Sequence, residues 1–69
     1  MSKFMTIADV AEYLAVSAGQ VRTLIQNGEL PAIQVGGRGQ WRISEAELAA
    51  YIERGYAATR RRVAESQEL

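Results

Sequence analysis

The sequence predicts a small α+β fold: two short helices joined by a tight turn, a two-stranded hairpin, and a third helix. Three observations carry that prediction. A helix-start signature occurs three times, apolar residues follow each occurrence at helical spacing, and a strictly alternating stretch is broken by a glycine-rich loop. With 69 residues the chain has room for one domain and a modest core. Its 48% hydrophobic content is that of a globular chain rather than a disordered one. Cysteine and histidine are both absent, which excludes disulfide staples, thiolate or imidazole zinc sites, and histidine acid–base chemistry.

The first helix is announced by Thr6-Ile-Ala-Asp9, a hydroxyl followed three residues later by an acid. In such a capping box the hydroxyl accepts from an unpaired first-turn N–H, and the third residue reaches back to the cap's own N–H. Asp9 is shorter than the usual Glu or Gln, so this box is the weakest of the three. Ile7, Val10, Ala11 and Leu14 share one face over residues 7–14. The second box is Ser17-Ala-Gly-Gln20, with Val21, Leu24 and Ile25 on one face over 18–26, and Asn27-Gly28 as the stop. Only Ala15, Val16 and the cap Ser17 separate the two helices, which is the spacing of a helix-turn-helix. The third box is Ser44-Glu-Ala-Glu47, ahead of Leu48, Tyr51 and Ile52. Met5 with Val10, Val16 with Val21, and Ile43 with Leu48 stand at hydrophobic-staple spacing around the three caps.

Residues 32–43 change period. Ile33 and Val35 alternate with Ala32 and Gln34, and Trp41 and Ile43 flank Arg42, so two strands with one buried face are expected, Trp41 sharing that face with Ile43. Pro31 stands ahead of the first strand, where a missing N–H is tolerated. GGRGQ becomes the hairpin loop with Arg38 at its tip. A phosphate-cradling loop is rejected here, because it requires a helix directly after it and a Gly-Lys-Ser/Thr ending. After Gly55, GYAATRRRVAESQEL reads either as a helix continuing to about residue 63 or as a capped helix followed by a mobile tail, with Ser66 to Leu69 expected to be disordered. The expected organisation is therefore a domain over 1–55 and a C-terminal extension over 56–69, partly helical or disordered.

The succession of elements, and the residues that carry it, resembles the excisionase-type, MerR-like winged helix-turn-helix family. The resemblance runs from about Met5 to Gly55. It rests on Thr-x-x-Asp-Val-Ala at the start, Val-Ser before the second helix, Gly-Glu-Leu-Pro-Ala after it, the Gly-Gly-Arg hairpin, and Trp-Arg-Ile-Ser before the third helix. It implies a small bacterial or phage protein acting in the cytoplasm on double-stranded DNA, as a transcriptional regulator or as an excision factor working with an integrase. It implies a second helix in the major groove and a hairpin wing on the neighbouring backbone or minor groove. Carried onto this chain, the groove candidates are Ser17, Ala18, Gly19, Gln20, Arg22, Thr23 and Gln26, and the wing candidates are Arg38, Gln40 and Arg42. Two departures stand out. Ala18-Gly19 occupies positions where the family often has a basic or polar residue, and Ala15 stands where it often has glycine, which predicts a strained turn.

The residues themselves suit that role. Gly19, Thr23 and Gln26 lie roughly opposite the core stripe of the second helix, flanked by Gln20 and Arg22. Arginine reads guanine, glutamine reads adenine, and a threonine methyl meets thymine. Arg42 is expected to project outward beside an inward Trp41, and Arg38 to reach a phosphate or a narrow minor groove. Arg60, Arg61 and Arg62 are either further phosphate contacts or an ordinary solvated charge run. Zero net charge, from eight basic and eight acidic residues, argues against indiscriminate attraction to an anionic polymer. A single small module buries too little surface for high selectivity, so self-association or cooperative binding on DNA is expected. Zero charge and Ala18-Gly19 leave open an alternative, an adaptor that binds a recombinase or polymerase and barely touches DNA. No catalytic residue, metal site or cofactor is expected: Asp9 and Glu12 read as a cap and a solvated face. No apolar run reaches membrane-spanning length and no apolar signal core is seen, so neither membrane insertion nor export is expected.

Overall fold

A computed structural model describes residues 3–67. The order of elements is β1 (Phe4–Met5), α1 (Ile7–Leu14), α2 (Ala18–Gln26), β2 (Ile33–Val35), β3 (Gln40–Ser44) and α3 (Glu45–Gln67). This is a small α+β winged helix-turn-helix, with three helices and an antiparallel sheet of order β1-β3-β2.

Local signals set both short helices where the sequence places them. At α1, the Thr6 N–H donates to Asp9 Oδ2 at 3.1 Å and the Asp9 N–H donates to Thr6 Oγ1 at 3.0 Å, so the short aspartate closes its box fully. At α2, Ser17 and Gln20 do the same, both bonds at 3.1 Å. The third box is half made: the Glu47 N–H donates to Ser44 Oγ at 3.1 Å, while the Glu45 N–H donates to the Lys3 carbonyl at 2.8 Å and ties α3 to the chain ahead of β1. α1 ends on Ala15 with φ 58° and ψ 44°, a left-handed conformation in a residue that carries a Cβ. The strained turn expected there is present. α2 ends in a Schellman arrangement. The Gly28 N–H reaches Ile25 O at 3.1 Å, the Glu29 N–H reaches Leu24 O at 3.0 Å, and Gly28 supplies the positive φ of 77°.

The core joins every layer: Val10, Ala11, Val21, Leu30, Ile43 and Leu48 are buried, with Met5 and Val16 packed against them. All six staple residues therefore belong to the core or lean on it. Leu30, fully buried, is absent from the sequence-derived core. The signal for it is its position just past the helix stop, where an apolar residue folds back onto the last turn.

Three sequence expectations are corrected. First, Ile33 and Val35 are about half exposed, not buried. The register pairs Ile33 with Arg42, Gln34 with Trp41 and Val35 with Gln40, so the two aliphatic residues lie across from polar ones. β1 adds Phe4 opposite Ser44, which places Phe4, Ile33 and Val35 together on the outer face of the sheet. Second, Trp41 is half-buried but stands outside the core cluster. Third, α3 does not stop at Gly55 or near residue 63. It runs as one helix through Gln67, Ser66 included; residues 68 and 69 of the expected disordered end lie outside the described residues. The strand β1 is an addition, too short to leave a period in the sequence.

α3 is 23 residues long, about 34 Å at the usual helical rise. It makes the molecule elongated, 53 × 27 × 20 Å. Its first half packs on the core through Leu48, Tyr51 and Ile52, and Arg54 Nη2 donates to the Glu29 carbonyl at 3.0 Å, fastening it to the loop after α2.

Candidate nucleic-acid interface

On α2 the core stripe buries Val21 and half-buries Leu24 and Ile25, leaving Gly19, Gln20, Arg22, Thr23 and Gln26 exposed. At about 100° per residue, Gly19, Thr23 and Gln26 fall within one narrow arc, with Arg22 on one flank and Gln20 on the other. Ala18 is half-buried beside Arg22, and Ser17 is exposed at the cap.

The two flanks meet different surroundings. On the Arg22 side, a cleft of about 500 Å³ is lined by Thr6, Ile7 and Ala8 from the start of α1, by Arg22, and by Arg38, Gly39, Gln40, Trp41 and Arg42 from the wing. The structure thus brings together the α2 arginine and all three wing candidates. On the Gln20 side, a larger concavity of about 680 Å³ is lined by Leu14, Val16, Ser17, Gly19, Gln20, Thr23, Leu24 and Tyr51. Arg60, Arg61 and Arg62 line neither. Arg60 is engaged with Glu53 at 3.5 Å, with both ends exposed, an ion pair that adds little stability. Arg62 borders a separate concavity with Glu29, Pro31 and Arg54.

Several candidate side chains already have work within the fold. Gln20 Oε1 accepts from the Ser17 N–H and Ser17 Oγ accepts from the Gln20 N–H, which leaves the Gln20 amide NH₂ and the Ser17 hydroxyl proton for a ligand. Thr23 Oγ1 donates to the Gly19 carbonyl at 3.0 Å, so its methyl is the group it can offer. Arg42 does not project freely as expected. It is half-buried, with Nη1 donating to the Trp41 carbonyl at 2.8 Å and Nη2 to Gln40 Oε1 at 3.3 Å. Those bonds hold its head in place and leave part of its five-donor fork open. Arg22 and Arg38 make no hydrogen bond or ion pair with the described residues.

The wing tip is a four-residue turn, Gly36 to Gly39, with positive φ at Gly36 (73°) and Gly39 (66°), and Arg38 is exposed on it. Among the described residues no carboxylate lines the arginine cleft. Asp9, in the first turn of α1, is close enough to feel the charge of Arg42. The Thr6 N–H first, then the Thr6 hydroxyl, hold its carboxyl below the ordinary value, and the charge of Arg42 adds a smaller pull in the same direction. Three of the chain's eight basic residues, Arg22, Arg38 and Arg42, thus share one surface of a chain that is neutral overall. Among the described residues no group of acids, histidines or cysteines is arranged to hold a metal, and no helix is long and apolar enough to cross a membrane.

A comparison with known families matches residues 4–56 to a helix-turn-helix domain, from β1 into the middle of α3. No curated protein and no solved structure matches the chain.

Proposed function

We propose that this chain, which belongs to the helix-turn-helix domain family, is a small sequence-selective DNA-binding protein of the excisionase-type, MerR-like kind. It serves as a transcriptional regulator or as an excision factor of a phage or mobile element, acting in the cytoplasm of a bacterium where the DNA lies. Residues 1–55 are the DNA-binding unit and 56–69 the extension. α2 enters the major groove with Gly19, Thr23 and Gln26 towards the base edges, Gln20 and Arg22 on its flanks, and Ser17 and Ala18 at its leading end. The wing, through Arg38, Gln40 and Arg42, lies on the adjoining backbone or minor groove. The observation that carries this reading is the shared cleft: Arg22 of α2 and the wing arginines line one surface, and no carboxylate of the described residues lies in its lining. The reading includes no catalysis and no cofactor.

Copies act together on DNA. Support comes from α3, where Ile52, Tyr56, Thr59 and Val63 follow one another at steps of four, three and four residues along one face, with Tyr56 62% and Val63 50% exposed. That spacing suits a second copy, or an integrase in the excision setting. Arg60, Arg61 and Arg62 on the same helix are secondary phosphate contacts at most.

A mobility-shift titration with mixed duplex fragments tests the reading, comparing the natural chain with an Arg38→Ala, Arg42→Ala double variant whose helicity is checked by circular dichroism. About four phosphate contacts imply an affinity that falls about a hundredfold between about 50 and 200 mM salt. The double variant is expected to bind at least about tenfold more weakly. Absence of binding at low salt, or an unaffected variant, would instead favour the adaptor alternative. The exposed Phe4, Ile33 and Val35 on the outer sheet face are the surface such an adaptor would use.

A further inference from the structure

Alternation along β3 assigns Trp41 to the core beside Ile43, yet the structure sets it in the wall of the arginine cleft, half-buried and apart from the core cluster. Its indole N–H has no partner among the described hydrogen bonds. Around it stand Arg22 from α2, Arg38 from the turn, and Arg42, whose head is fixed by the Trp41 carbonyl and Gln40. Three like charges on one surface whose described lining holds no carboxylate make it a favourable seat for an anion. An arginine fork is shaped for the paired unesterified oxygens of a phosphodiester, and an indole offers an apolar face with a single donor at its rim.

We propose that this cleft is a clamp for one phosphodiester group of a DNA strand. Arg22 from α2 and Arg38 from the wing tip close on it, Arg42 adds a donor whose head is preset, and Trp41 contacts the adjoining deoxyribose. The clamp rests on the DNA-binding reading above and adds two things to it. The arginines of the helix and of the wing serve the same phosphate rather than separate ones, and Trp41 belongs to the interface. Because the clamp is built from backbone contacts, it fixes register along the duplex without reading sequence, leaving selectivity to Thr23 and Gln26.

The chain has a single tryptophan, so its emission reports on Trp41 alone. The full chain is titrated with a pool of mixed-sequence 20-base-pair duplexes. Binding is followed by anisotropy of labelled DNA, and Trp41 by its emission and its quenching by acrylamide. The same anisotropy is measured for Arg22→Ala, Arg38→Ala and the double variant. Saturation is expected to change the emission and shield Trp41 from acrylamide. Each single variant is expected to lose about tenfold in affinity, and the double variant well short of the roughly hundredfold product, because either loss opens the same clamp. Binding with unchanged emission and acrylamide access, or with arginine effects that multiply, overturns the clamp and leaves the DNA reading intact. No binding at low salt overturns both.

Discussion

Gly19 separates what is good for the fold from what is good for the proposed interface. It lies in the first turn of α2, exposed, at the centre of the arc presented to DNA. A Cβ built there meets only Ser17 Oγ, at 3.8 Å, an ordinary contact. Gly19→Ala should therefore stabilise the isolated protein by about 0.5–1 kcal/mol, since alanine gives up less backbone freedom in a helix. An unfolding entropy of about 2.1 cal/mol/K per residue makes 1 kcal/mol worth about 7 °C in a chain this short. The expected rise in Tm is thus about 3–7 °C. On DNA the same methyl is an intrusion: if the α2 backbone approaches the groove as closely as the glycine permits, accommodating it costs about 1–3 kcal/mol, a loss of about 5- to 150-fold in affinity. Thermal melts by circular dichroism and anisotropy with a labelled duplex give both numbers. A variant that melts higher and binds as tightly as the natural chain would remove Gly19 from the interface. A lower Tm would mean that a methyl at this position strains the first turn of α2.

Two further outcomes concern the caps of α1. Ala15→Gly relieves a left-handed alanine and should raise stability by about 0.5–1 kcal/mol, after the added freedom of glycine in the unfolded chain offsets part of the gain; urea titration of the two proteins measures it. Asp9 titrates below its ordinary 3.8 in the folded protein, because Thr6 N–H and hydroxyl favour the carboxylate. Its contribution is accordingly complete above that ordinary value and disappears as pH falls through the lowered one, the unfolded chain taking up the proton first. The urea-midpoint difference between the natural chain and Asp9→Asn should hold steady from pH 7 to about 5 and change only in the acid range set by the reference carboxylate value; a difference that moves near neutrality would contradict it.

The contrast between helices and hairpin shows what could be read without coordinates. α1 and α2 lie where Thr6, Ser17 and Asn27-Gly28 put them, because a cap is settled by atoms three or four residues apart. The faces of the hairpin depend on one residue of loop length. Read as a five-residue loop, GGRGQ sets Val35 against Trp41 and Ile33 against Ile43, all facing one way. The actual turn has four residues, Gln40 joins β3, and every pair slips by one, so Ile33 meets Arg42 and the aliphatic residues turn outward. Alternation gives a period and leaves the choice of side to the turn. β3 itself keeps the expected alternation, Trp41 and Ile43 to one side and Arg42 to the other; what a period does not carry is that Trp41 stands off the core cluster and that Arg42 folds back onto the Trp41 carbonyl. The continuity of α3 past Gly55 depended on a balance too fine for sequence alone: one glycine, with open space around it, against the helix-favouring residues that follow. Of the site candidates, Arg22, Arg38, Gln40 and Arg42 line one surface, a juxtaposition that the resemblance implied and local spacing does not give, whereas the cap duties of Ser17 and Gln20, and the presence of Trp41 among the arginines, required side-chain positions.

β3 passes into α3 between Ser44 and Glu45 with no intervening residue, and Leu48, Tyr51 and Ile52 seat the first half of the arm on the core, which sets its direction relative to the ribbon. An attachment at the far end of the arm inherits the bearing of the ribbon. Each residue inserted between Gly55 and Gln67 swings that attachment about 100° round the helix axis and advances it about 1.5 Å, and four residues bring it nearly back into phase. The count of residues along the arm, more than their identity, sets the direction in which anything docked there points.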